Sequence, residues 1–285
     1  MRCIVPTSVL TDRESAALSD LLASHGLRCA KLESLSPAGS GRKAGRRALR
    51  LETLEGRVFK LRLLESAEEA VALATLRARV DVSFLPPIEQ RGPLLLEPWI
   101  EGERLSPAQA EVRSRALGSL LGRLHASRPA DAPASVSCRE RRDRALEDLA
   151  RLSSAGVLPA DAGLALQREL ARRDPGSAPA VLVHRDFCPE NLVTDAAGEL
   201  HLIDNEWLGV DAAGVDLGRT WSRWPVTDLA WQDFLNGYAG AAPEPPSALR
   251  FWQIAMAARG ASLRLEGPAD ALALPLARLR ELASG

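Results

Sequence analysis

The first third of the chain combines a helical pattern with short runs of alternating polar and apolar residues. Residues 11–24 have apolar positions at helical spacing, and Thr11 with Glu14 forms the sequence of a capping box. Three strand-like runs, separated by segments that contain glycine, follow at residues 32–35, 48–54 and 57–63. A helix is expected from Ser66 to about Val80, and Leu94-Leu95-Leu96 has the pattern of a buried strand. Together these patterns predict a small antiparallel meander with a packed helix.

Beyond Gly102 the spacing of the apolar residues becomes helical. Ser106-Pro107 is typical of a helix start, because proline fits the first helical position. Further helical patterns cover residues 139–152, 161–172 and the tail from 228 on, which a Pro- and Ala-rich loop divides at 241–246. A short β segment interrupts the helices between residues 181 and 204. We therefore expect an α+β fold, with a β-rich lobe at residues 1–98 and a larger, mainly helical lobe at residues 99–285.

Composition narrows the class of protein. The 285 residues are 46% hydrophobic, and 36 basic against 37 acidic residues give a formal charge of −1. These values disfavour both a strongly basic nucleic-acid binder and a disordered chain. No apolar run approaches the ~18 residues of a membrane span, and residues 1–6 lack the apolar centre of a signal peptide. The four cysteines form no CxxC pair, so we expect a reducing, cytoplasmic setting. From the charge and the short apolar runs, we expect neither nucleic-acid nor membrane partners.

The most informative segment runs from His184 to Asp204. Two strand-like runs flank Asp195-Ala196-Ala197-Gly198, which has turn chemistry, and so predict a hairpin. In a hairpin the start of the first strand lies beside the end of the second, so Asn191 and Asp204 should meet, with Asp186 on the preceding loop. Hard oxygen donors grouped in this way suit Mg²⁺. The alternative, a hairpin whose polar ends merely face solvent, explains neither the His-x-Asp-x4-Asn spacing nor the flanking apolar runs.

The sequence His184-Arg185-Asp186, followed by Asn191 and Asp204, resembles the catalytic signature of kinases. Over roughly residues 32–256 the chain most resembles the aminoglycoside phosphotransferase and choline kinase-like family of small-molecule kinases. The resemblance implies a bilobal protein kinase-like fold and transfer of the ATP γ-phosphoryl group to a hydroxyl of a small-molecule acceptor. It also implies that Asp186 is the catalytic residue, which orients the acceptor hydroxyl, and that Asn191 and Asp204 hold Mg²⁺ against the ATP phosphates.

The same resemblance implies an ATP site in the first lobe. Lys60, one of only three lysines, would pair with the α- and β-phosphates, although a lysine on the solvated face of a strand has the same pattern. Its partner would be a glutamate of the following helix, where Glu65, Glu68 and Glu69 compete. Glu69 is favoured because it shares a face with the apolar residues of that helix. Ser66 and Glu69 also form a capping-box sequence, which is a purely structural alternative.

Two further segments are assigned to ATP by the resemblance. Gly39, Ser40 and Gly41 occupy the position of the phosphate-covering loop, where glycines let backbone N–H groups approach phosphate. An ordinary turn has the same sequence. Backbone groups of Glu97 and Trp99 would bind the adenine edge at the hinge between the lobes, and Trp99 is equally compatible with core packing.

The chain departs from the family beside the catalytic residue. Arg185 stands where small-molecule kinases mostly have glycine, and Phe187-Cys188 replaces the usual Leu-His. We expect these departures to affect the acceptor rather than the phosphoryl chemistry. His184 is expected to brace the loop, and Asp216 to tie the segment after the metal-binding aspartate to it.

The acceptor is constrained only by charge. Residues 205–285 contain nine acidic residues against seven arginines, too small an excess for a pocket that binds several ammonium groups. Arg219 and Arg223, four residues apart beside Trp221 and Trp224, suit a neutral or anionic acceptor if that segment lines the pocket. The alternative is that both arginines face solvent and that the few carboxylates converge. From the charge balance, polycationic aminoglycosides are expected to be poor substrates. The tryptophans that follow Asp204 are either core or walls of the acceptor pocket.

Two other functions remain as alternatives. One is a nucleotide-binding pseudokinase that serves as an interaction module, which the intact Lys60, Asp186, Asn191 and Asp204 disfavour. The other is a protein or lipid kinase. It is disfavoured because the chain has Asp-Asn-Glu where protein kinases have Asp-Phe-Gly, and because few residues follow for a further helical subdomain. The sequence leaves the oligomeric state open.

Overall fold

The computed structural model describes residues 10–35, 47–80, 82–224, 227–244 and 247–284. The chain divides into two compact units. The first unit consists of Met1–Gly102 with Asp195–His201, and the second of Glu103–Thr194 with Leu202–Gly285.

The first unit is built on a five-stranded antiparallel sheet of strand order β1-β2-β3-β5-β4. Its elements are α1 (Asp12–Ala23), β1 (Cys29–Ser34), β2 (Arg47–Thr53), β3 (Val58–Leu63), α2 (Ala67–Ala78), β4 (Glu89–Arg91) and β5 (Leu94–Pro98). The meander predicted from the sequence is confirmed as β1 to β3. Thr11 and Glu14 form the predicted capping box at the start of α1.

Alternating side chains of the sheet form the core of this unit. Leu49 and Leu51 of β2 and Leu61 and Leu63 of β3 are buried together with the apolar face of α1. The alternation in β3 predicts Arg62 on a polar face, yet its side chain is buried. The reason is a partner across the sheet: Arg62 Nε lies 3.4 Å from Oε2 of the equally buried Glu97. A paired charge can be buried where a lone one cannot.

From Glu103 onward the chain is mainly helical. The strands are β6 (Glu103–Arg104), β7 (Ser135–Ser137), β8 (Ser177–Val183), β9 (Leu192–Thr194), β10 (Leu200–Leu202) and β11 (Gly209–Ala212). The helices are α3 (Pro107–Val112), α4 (Ser114–Ala126), α5 (Arg139–Ser154), α6 (Ala160–Arg172), α7 (Ala213–Arg223), α8 (Asp228–Ala239), α9 (Leu249–Ser262) and α10 (Ala269–Ser284). In the second unit, β8 lies between β11 and β7, and β6 pairs with β9, in each case antiparallel.

Helix α7 packs closely on α9 because two of its residues are glycines. A Cβ atom at Gly218 would lie 2.4 Å from the carbonyl oxygen of Trp252, and one at Gly214 would lie 2.1 Å from the Trp252 ring. The sequence patterns did not predict α7, although they predicted α5, α6 and the helices after Asp228. This helix matters because it carries Asp216, Arg219 and Arg223.

An aromatic core lies at the end of α7. Trp221, Trp224 and Trp231 are buried, and Trp224 stacks on Phe187 with ring centroids 6.0 Å apart. The core alternative is therefore confirmed for these three tryptophans, whereas Trp207 is exposed. No helix within the described ranges is long and apolar enough to span a membrane.

Candidate active site

The loop that carries Asp186 leaves a buried strand with an unusual backbone conformation. Strand β8 ends at Val183, and Arg185 follows with φ 65°, in the left-handed region. Glycine reaches that region without strain, so Arg185 occupies a position that favours glycine. The side chain of Arg185 is anchored instead, since its Nη2 lies 3.2 Å from Asp211 Oδ2 and 3.3 Å from the carbonyl oxygen of Val210.

Asp216, in the first turn of α7, fixes the backbone of this loop through hydrogen bonds. Its Oδ2 accepts the backbone N–H of His184 at 2.7 Å, and its Oδ1 accepts that of Arg185 at 2.6 Å. His125 Nε2 lies 3.2 Å from Oδ2, and His125 Nδ1 lies 2.8 Å from the hydroxyl of Tyr238. Burial raises the pKa of the Asp216 carboxyl, but its hydrogen bonds and electrostatic interactions with His125 and His184 together outweigh burial, so the pKa lies below its ordinary value. The structural role predicted for Asp216 is confirmed.

His184 braces the loop, as its position in the motif predicts. Its Nδ1 accepts the backbone N–H of Asp186 at 3.2 Å, and its Nε2 lies 3.1 Å from the carbonyl oxygen of Ile203. These contacts place the ring proton on Nε2. Burial lowers the pKa of His184 below its ordinary value, which keeps the ring neutral and the hydrogen bonds in place.

The residues after Asp186 belong to the core. Phe187 and Cys188 are both buried, Phe187 against Trp224. Burial raises the pKa of the Cys188 thiol to about 12, so it is a poor nucleophile at neutral pH. Where the resemblance leads one to expect Leu-His, the chain thus has two buried side chains beside Asp186.

The carboxylate of Asp186 is held from two sides. Oδ1 accepts hydrogen bonds from Arg219 Nε at 3.2 Å, from Arg219 Nη2 at 2.9 Å and from Arg223 Nη1. Asn191 Nδ2 donates to Oδ2 at 3.1 Å and to the Asp186 backbone carbonyl at 2.9 Å. Burial raises the pKa of the carboxyl, and the positive charges of Arg223 and Arg219 lower it by more, so the pKa lies below its ordinary value. Asp186 is therefore ionised at neutral pH.

Sequence reasoning did not find the contact between the two arginines and Asp186. It noted their four-residue spacing but had no helix on which to place them. Asp216, Arg219 and Arg223 stand at positions i, i+3 and i+7, which share one face of a helix. That spacing, combined with an N-terminal aspartate, is the signal that would have placed both arginines on the same side as the loop.

A backbone hydrogen bond brings the two predicted metal ligands to the same end of the hairpin. The N–H of Ile203 donates to the carbonyl oxygen of Asn191 at 2.9 Å, which places Asn191 beside the residue that precedes Asp204. Asp204 has φ 64°, a second left-handed, non-glycine position at this site. The two strand ends therefore lie side by side, and Asp186 lies on the loop before them, as the hairpin pattern predicts.

The donor set fits a hard cation. Asn191 directs its amide nitrogen at Asp186, which leaves its Oδ1 as a possible ligand atom, and Asp204 supplies a carboxylate. Beside Asp204, the buried Oδ1 of Asn205 has no hydrogen-bond partner among the described residues. A buried oxygen that lacks a hydrogen-bond partner is satisfied by a bound cation or by a water molecule on that cation. The residues present thus suit Mg²⁺.

A different acidic group lies on the turn after β9. Ligand atoms of Asp195, Glu199 and His201 lie within 4.8 Å of one another. Asp195 Oδ1 accepts the N–H groups of Ala197 and Glu199, each at 2.9 Å, and Oδ2 lies 2.8 Å from His201 Nε2. These contacts shape the turn, and the group is a structural feature of the hairpin.

The predicted nucleotide residues of the first unit lie in register across its sheet. Lys60 of β3 is paired with Arg50 of β2 on one side and with Glu97 of β5 on the other. Trp99 follows β5, and its backbone N–H donates to Val58 at 3.1 Å. The Trp99 ring is partly buried, with the Arg50 guanidinium 5.4 Å from its centroid. The roles of these residues in nucleotide binding stay predictions.

Two of the three competing glutamates differ in exposure. Glu69 is partly buried and Glu68 is exposed. The N–H of Glu69 donates to Ser66 Oγ at 3.1 Å, so Ser66 caps α2 as predicted. The Glu69 carboxylate accepts the N–H of Glu65 at 3.3 Å. Its pairing with Lys60 remains a prediction, and Gly39, Ser40 and Gly41 lie outside the described residues.

Residues 84–252, more than half of the chain, match the model of the phosphotransferase enzyme family APH. The chain belongs to this family. The resemblance inferred from the catalytic motif is thereby confirmed. Among the curated proteins, no significant match is found.

Solved structures of phosphotransferases share the fold. Macrolide 2'-phosphotransferase MphH from Brachybacterium faecium is 22% identical, with a TM-score of 0.58 over 93% of this chain and 97% of that one. Choline kinase LicA from Streptococcus pneumoniae is 13% identical, with a TM-score of 0.65 over 96% and 99%. A thermostable mutant of aminoglycoside phosphotransferase APH(4)-Ia is 16% identical, with a TM-score of 0.63 over 93% and 97%. The predicted α+β, protein kinase-like fold is confirmed.

Proposed function

We propose that this phosphotransferase is a Mg²⁺- and ATP-dependent small-molecule kinase that transfers the γ-phosphoryl group to a hydroxyl of its acceptor. The observation that carries the proposal is the placement of Asp186. Its carboxylate is ionised, partly exposed and fixed on a loop that Asp216 and His184 hold through the backbone. Macrolide phosphotransferases and choline kinases, which have the same fold, are named for small acceptors, and this supports a small acceptor here.

In the proposed mechanism, Asp186 orients the acceptor hydroxyl and accepts its proton. The transition state of phosphoryl transfer is loose, so alignment of the hydroxyl contributes more than early removal of its proton. A carboxylate with a lowered pKa is a weak base, which is compatible with such a role. Rigidity of the loop backbone is then what the site requires, and the two backbone hydrogen bonds that Asp216 accepts supply it.

Asn191 and Asp204 would hold the metal ion in this proposal. Mg²⁺, when bound, neutralises the charge that develops on the phosphate oxygens. Lys60, with Glu69 as its partner, would pair with the α- and β-phosphates. The remaining nucleotide contacts are assigned to the loop of Gly39, Ser40 and Gly41 and to the backbone of Glu97 and Trp99.

The proposal is tested by ADP release. The full-length protein is incubated with ATP and Mg²⁺ and with panels of sugars, amino alcohols, nucleosides, hydroxy acids and aminoglycosides. We expect ADP formation to depend on both one class of acceptor and Mg²⁺. ATP binding without turnover for any class would instead favour the pseudokinase alternative.

The metal assignment is tested separately with Asp204→Ala. ATP is titrated into wild type and variant, with and without Mg²⁺, and Asp161→Ala on α6 serves as an exposed control. We expect Mg²⁺ to strengthen ATP binding in wild type and control, and to have no effect in Asp204→Ala, because a carboxylate that would hold the metal ion is gone. Equal Mg²⁺ dependence in all three proteins would refute the assignment.

A further inference from the structure

Arg219 and Arg223, which contact Asp186, carry more positive charge than the carboxylate that pairs with them neutralises. Arg219 and Arg223 each have five N–H donors in a rigid, planar group. Their hydrogen bonds converge on one oxygen, Asp186 Oδ1, and use only part of those donors. Within the described residues, no other carboxylate makes an ion pair with either guanidinium.

A third arginine adds to the excess. Arg264, after α9, donates through Nη1 to the carbonyl oxygen of Gly260 at 2.7 Å. Its pKa is lowered, first by burial and then by the charges of Arg223 and Arg219, which places it in the field of the same two residues. Glu190 lies near Arg223 and offsets part of the charge. Within the described residues, Arg219 and Arg223 thus share one ion-pair partner, the carboxylate of Asp186.

The arginines are partly accessible to a ligand. Their side chains are 35% and 25% exposed for Arg219 and Arg223, and the Asp186 side chain is 26% exposed. Half-buried donors with unused N–H groups are the arrangement that binds a carboxylate or phosphate through paired hydrogen bonds.

The side of Asp186 on which they lie indicates which substrate they face. Asn191, the proposed metal ligand, contacts Oδ2, whereas the arginines contact Oδ1. In the proposed function, the metal ion and the phosphates would lie on the side of the Asp186 carboxylate that Asn191 contacts. The opposite side is left for the acceptor, whose hydroxyl must reach Asp186.

We infer that Arg219 and Arg223 bind an anionic group of the acceptor, a carboxylate or a phosphate that lies within a few bonds of the hydroxyl to be phosphorylated. This inference rests on the proposed function and specifies its substrate class. Asp186 then shares the guanidinium donors with the acceptor anion, which brings the hydroxyl to the carboxylate. Cationic acceptors would meet these two arginines and be repelled.

The first test measures binding without turnover. The protein is saturated with Mg²⁺ and ADP, and calorimetry follows the binding of four compounds with one carbon skeleton: glycerate, glycerol 3-phosphate, glycerol and 3-amino-1,2-propanediol. We expect binding of at least one of the two anions and no binding of the neutral or cationic compound. The two anionic arms distinguish recognition of a carboxylate from recognition of a phosphate.

Variants locate the site of binding. Arg219→Gln and Arg223→Gln are each expected to weaken anion binding by about tenfold or more, because charge-assisted hydrogen bonds are lost. Arg168→Gln on the exposed face of α6 is the matched control and should bind the anion as wild type does. If a glutamine variant fails to fold, Arg219→Lys or Arg223→Lys replaces it. Lysine keeps the positive charge but lacks the planar guanidinium with its paired donors, so it should still weaken anion binding.

The outcomes separate this inference from the proposed function. Anion binding that depends on the arginines, without acceptor-dependent ADP release, supports the anion site and counts against the kinase. ADP release with neutral or cationic acceptors, unaffected in the glutamine variants, supports the kinase and overturns the inference. Absence of anion binding in wild type, or equal binding in the glutamine variants, also overturns it. The arginines would then only hold Asp186 in position.

Discussion

Asp186 and Asp216 of the second unit lie at the same loop, but different kinds of hydrogen-bond donor hold them. Asp216 is fully buried, and its donors are two backbone N–H groups and His125. Asp186 is 26% exposed, and its donors are side chains, those of Asn191 and the two arginines. Both carboxyls have pKa values below the ordinary one, so ionisation alone does not distinguish them.

The difference lies in what their partners are able to do. Backbone donors are fixed by the fold, so a carboxylate that accepts them determines the path of the chain. Side-chain donors change rotamer and exchange partners, so a carboxylate that accepts them remains available to a substrate. The first kind of aspartate holds a loop, and the second presents chemistry on it. Substitutions at and around the two residues should therefore affect different quantities.

The largest expected effect is on the rate of phosphoryl transfer in Asp186→Asn. We expect a decrease of about 10²- to 10⁴-fold in kcat, because the amide has nearly the same shape and no charge with which to orient and deprotonate the hydroxyl. Folding and ATP binding should be retained, since the side chain is partly exposed. Single-turnover kinetics with the best acceptor measures the rate, and thermal unfolding checks the fold. Turnover at the wild-type rate would remove Asp186 from the mechanism.

The converse substitution, Asp216→Asn, should act mainly on stability. An amide cannot accept both backbone N–H groups and the His125 hydrogen bond, so we expect a loss of about 3 kcal/mol in the free energy of unfolding at pH 7. Chemical denaturation measures it, with the exposed Asp161→Asn as a control that should change by less than about 0.5 kcal/mol.

The pH dependence of that loss has a definite sign. The folded-state pKa of Asp216 lies below its unfolded value, so its contribution to stability is complete above the unfolded pKa. It is lost as the pH falls through the folded-state pKa. The difference in stability between wild type and Asp216→Asn should therefore be constant near neutrality and decrease in acid. An increase in acid, or equal stabilities at pH 7, would contradict the role assigned to this residue.

A substitution that affects both aspartates at once is Gly218→Ala. The new methyl group would meet the carbonyl oxygen of Trp252 at 2.4 Å, so α7 and α9 would have to separate. We expect a loss of about 1–3 kcal/mol in the free energy of unfolding, with reduced kcat because α7 carries Asp216 and both arginines.

Gly260→Ala is the matched control for that variant. A Cβ atom there has no neighbour closer than 3.5 Å, and the position also lies in a helix, α9. Because alanine is favoured over glycine in helices by about 1 kcal/mol, this variant should be as stable as wild type or more stable. Equal destabilisation of the two variants would show that close packing of α7 is not the cause.

Local patterns predicted much of the fold and part of the site. Capping at Thr11 and Ser66, the three-stranded meander and the meeting of Asn191 with the Asp204 strand end follow from spacing and turn chemistry alone. The helix α7 escaped prediction because its apolar residues are interrupted by glycines, and these are explained only by the close approach of α9. A helix that is selected by its neighbour leaves a weak signal in its own sequence.

Contacts between distant residues were beyond the reach of patterns. The burial of Arg62 depends on Glu97, 35 residues away in the chain. The contacts of Arg219 and Arg223 with Asp186 depend on how α7 is placed against the loop, at separations of 33 and 37 residues. Spacing along a chain identifies which residues share an element, whereas the pairing of charges is decided by how the elements pack.

The smallest expected effect is that of Tyr238→Phe, which tests how far the support of Asp216 extends. Tyr238 is buried, and its hydroxyl lies 2.8 Å from His125 Nδ1, which is one residue removed from the aspartate. Loss of this hydrogen bond should cost about 1 kcal/mol of stability. Because Asp216 keeps both backbone donors and His125 Nε2, kcat should stay at the wild-type value. Denaturation and kinetics measured on one preparation decide the point. A fall in kcat comparable to that of Asp216→Asn would mean that the loop is held by the whole chain of hydrogen bonds, and the contrast between the two aspartates would then extend to their partners.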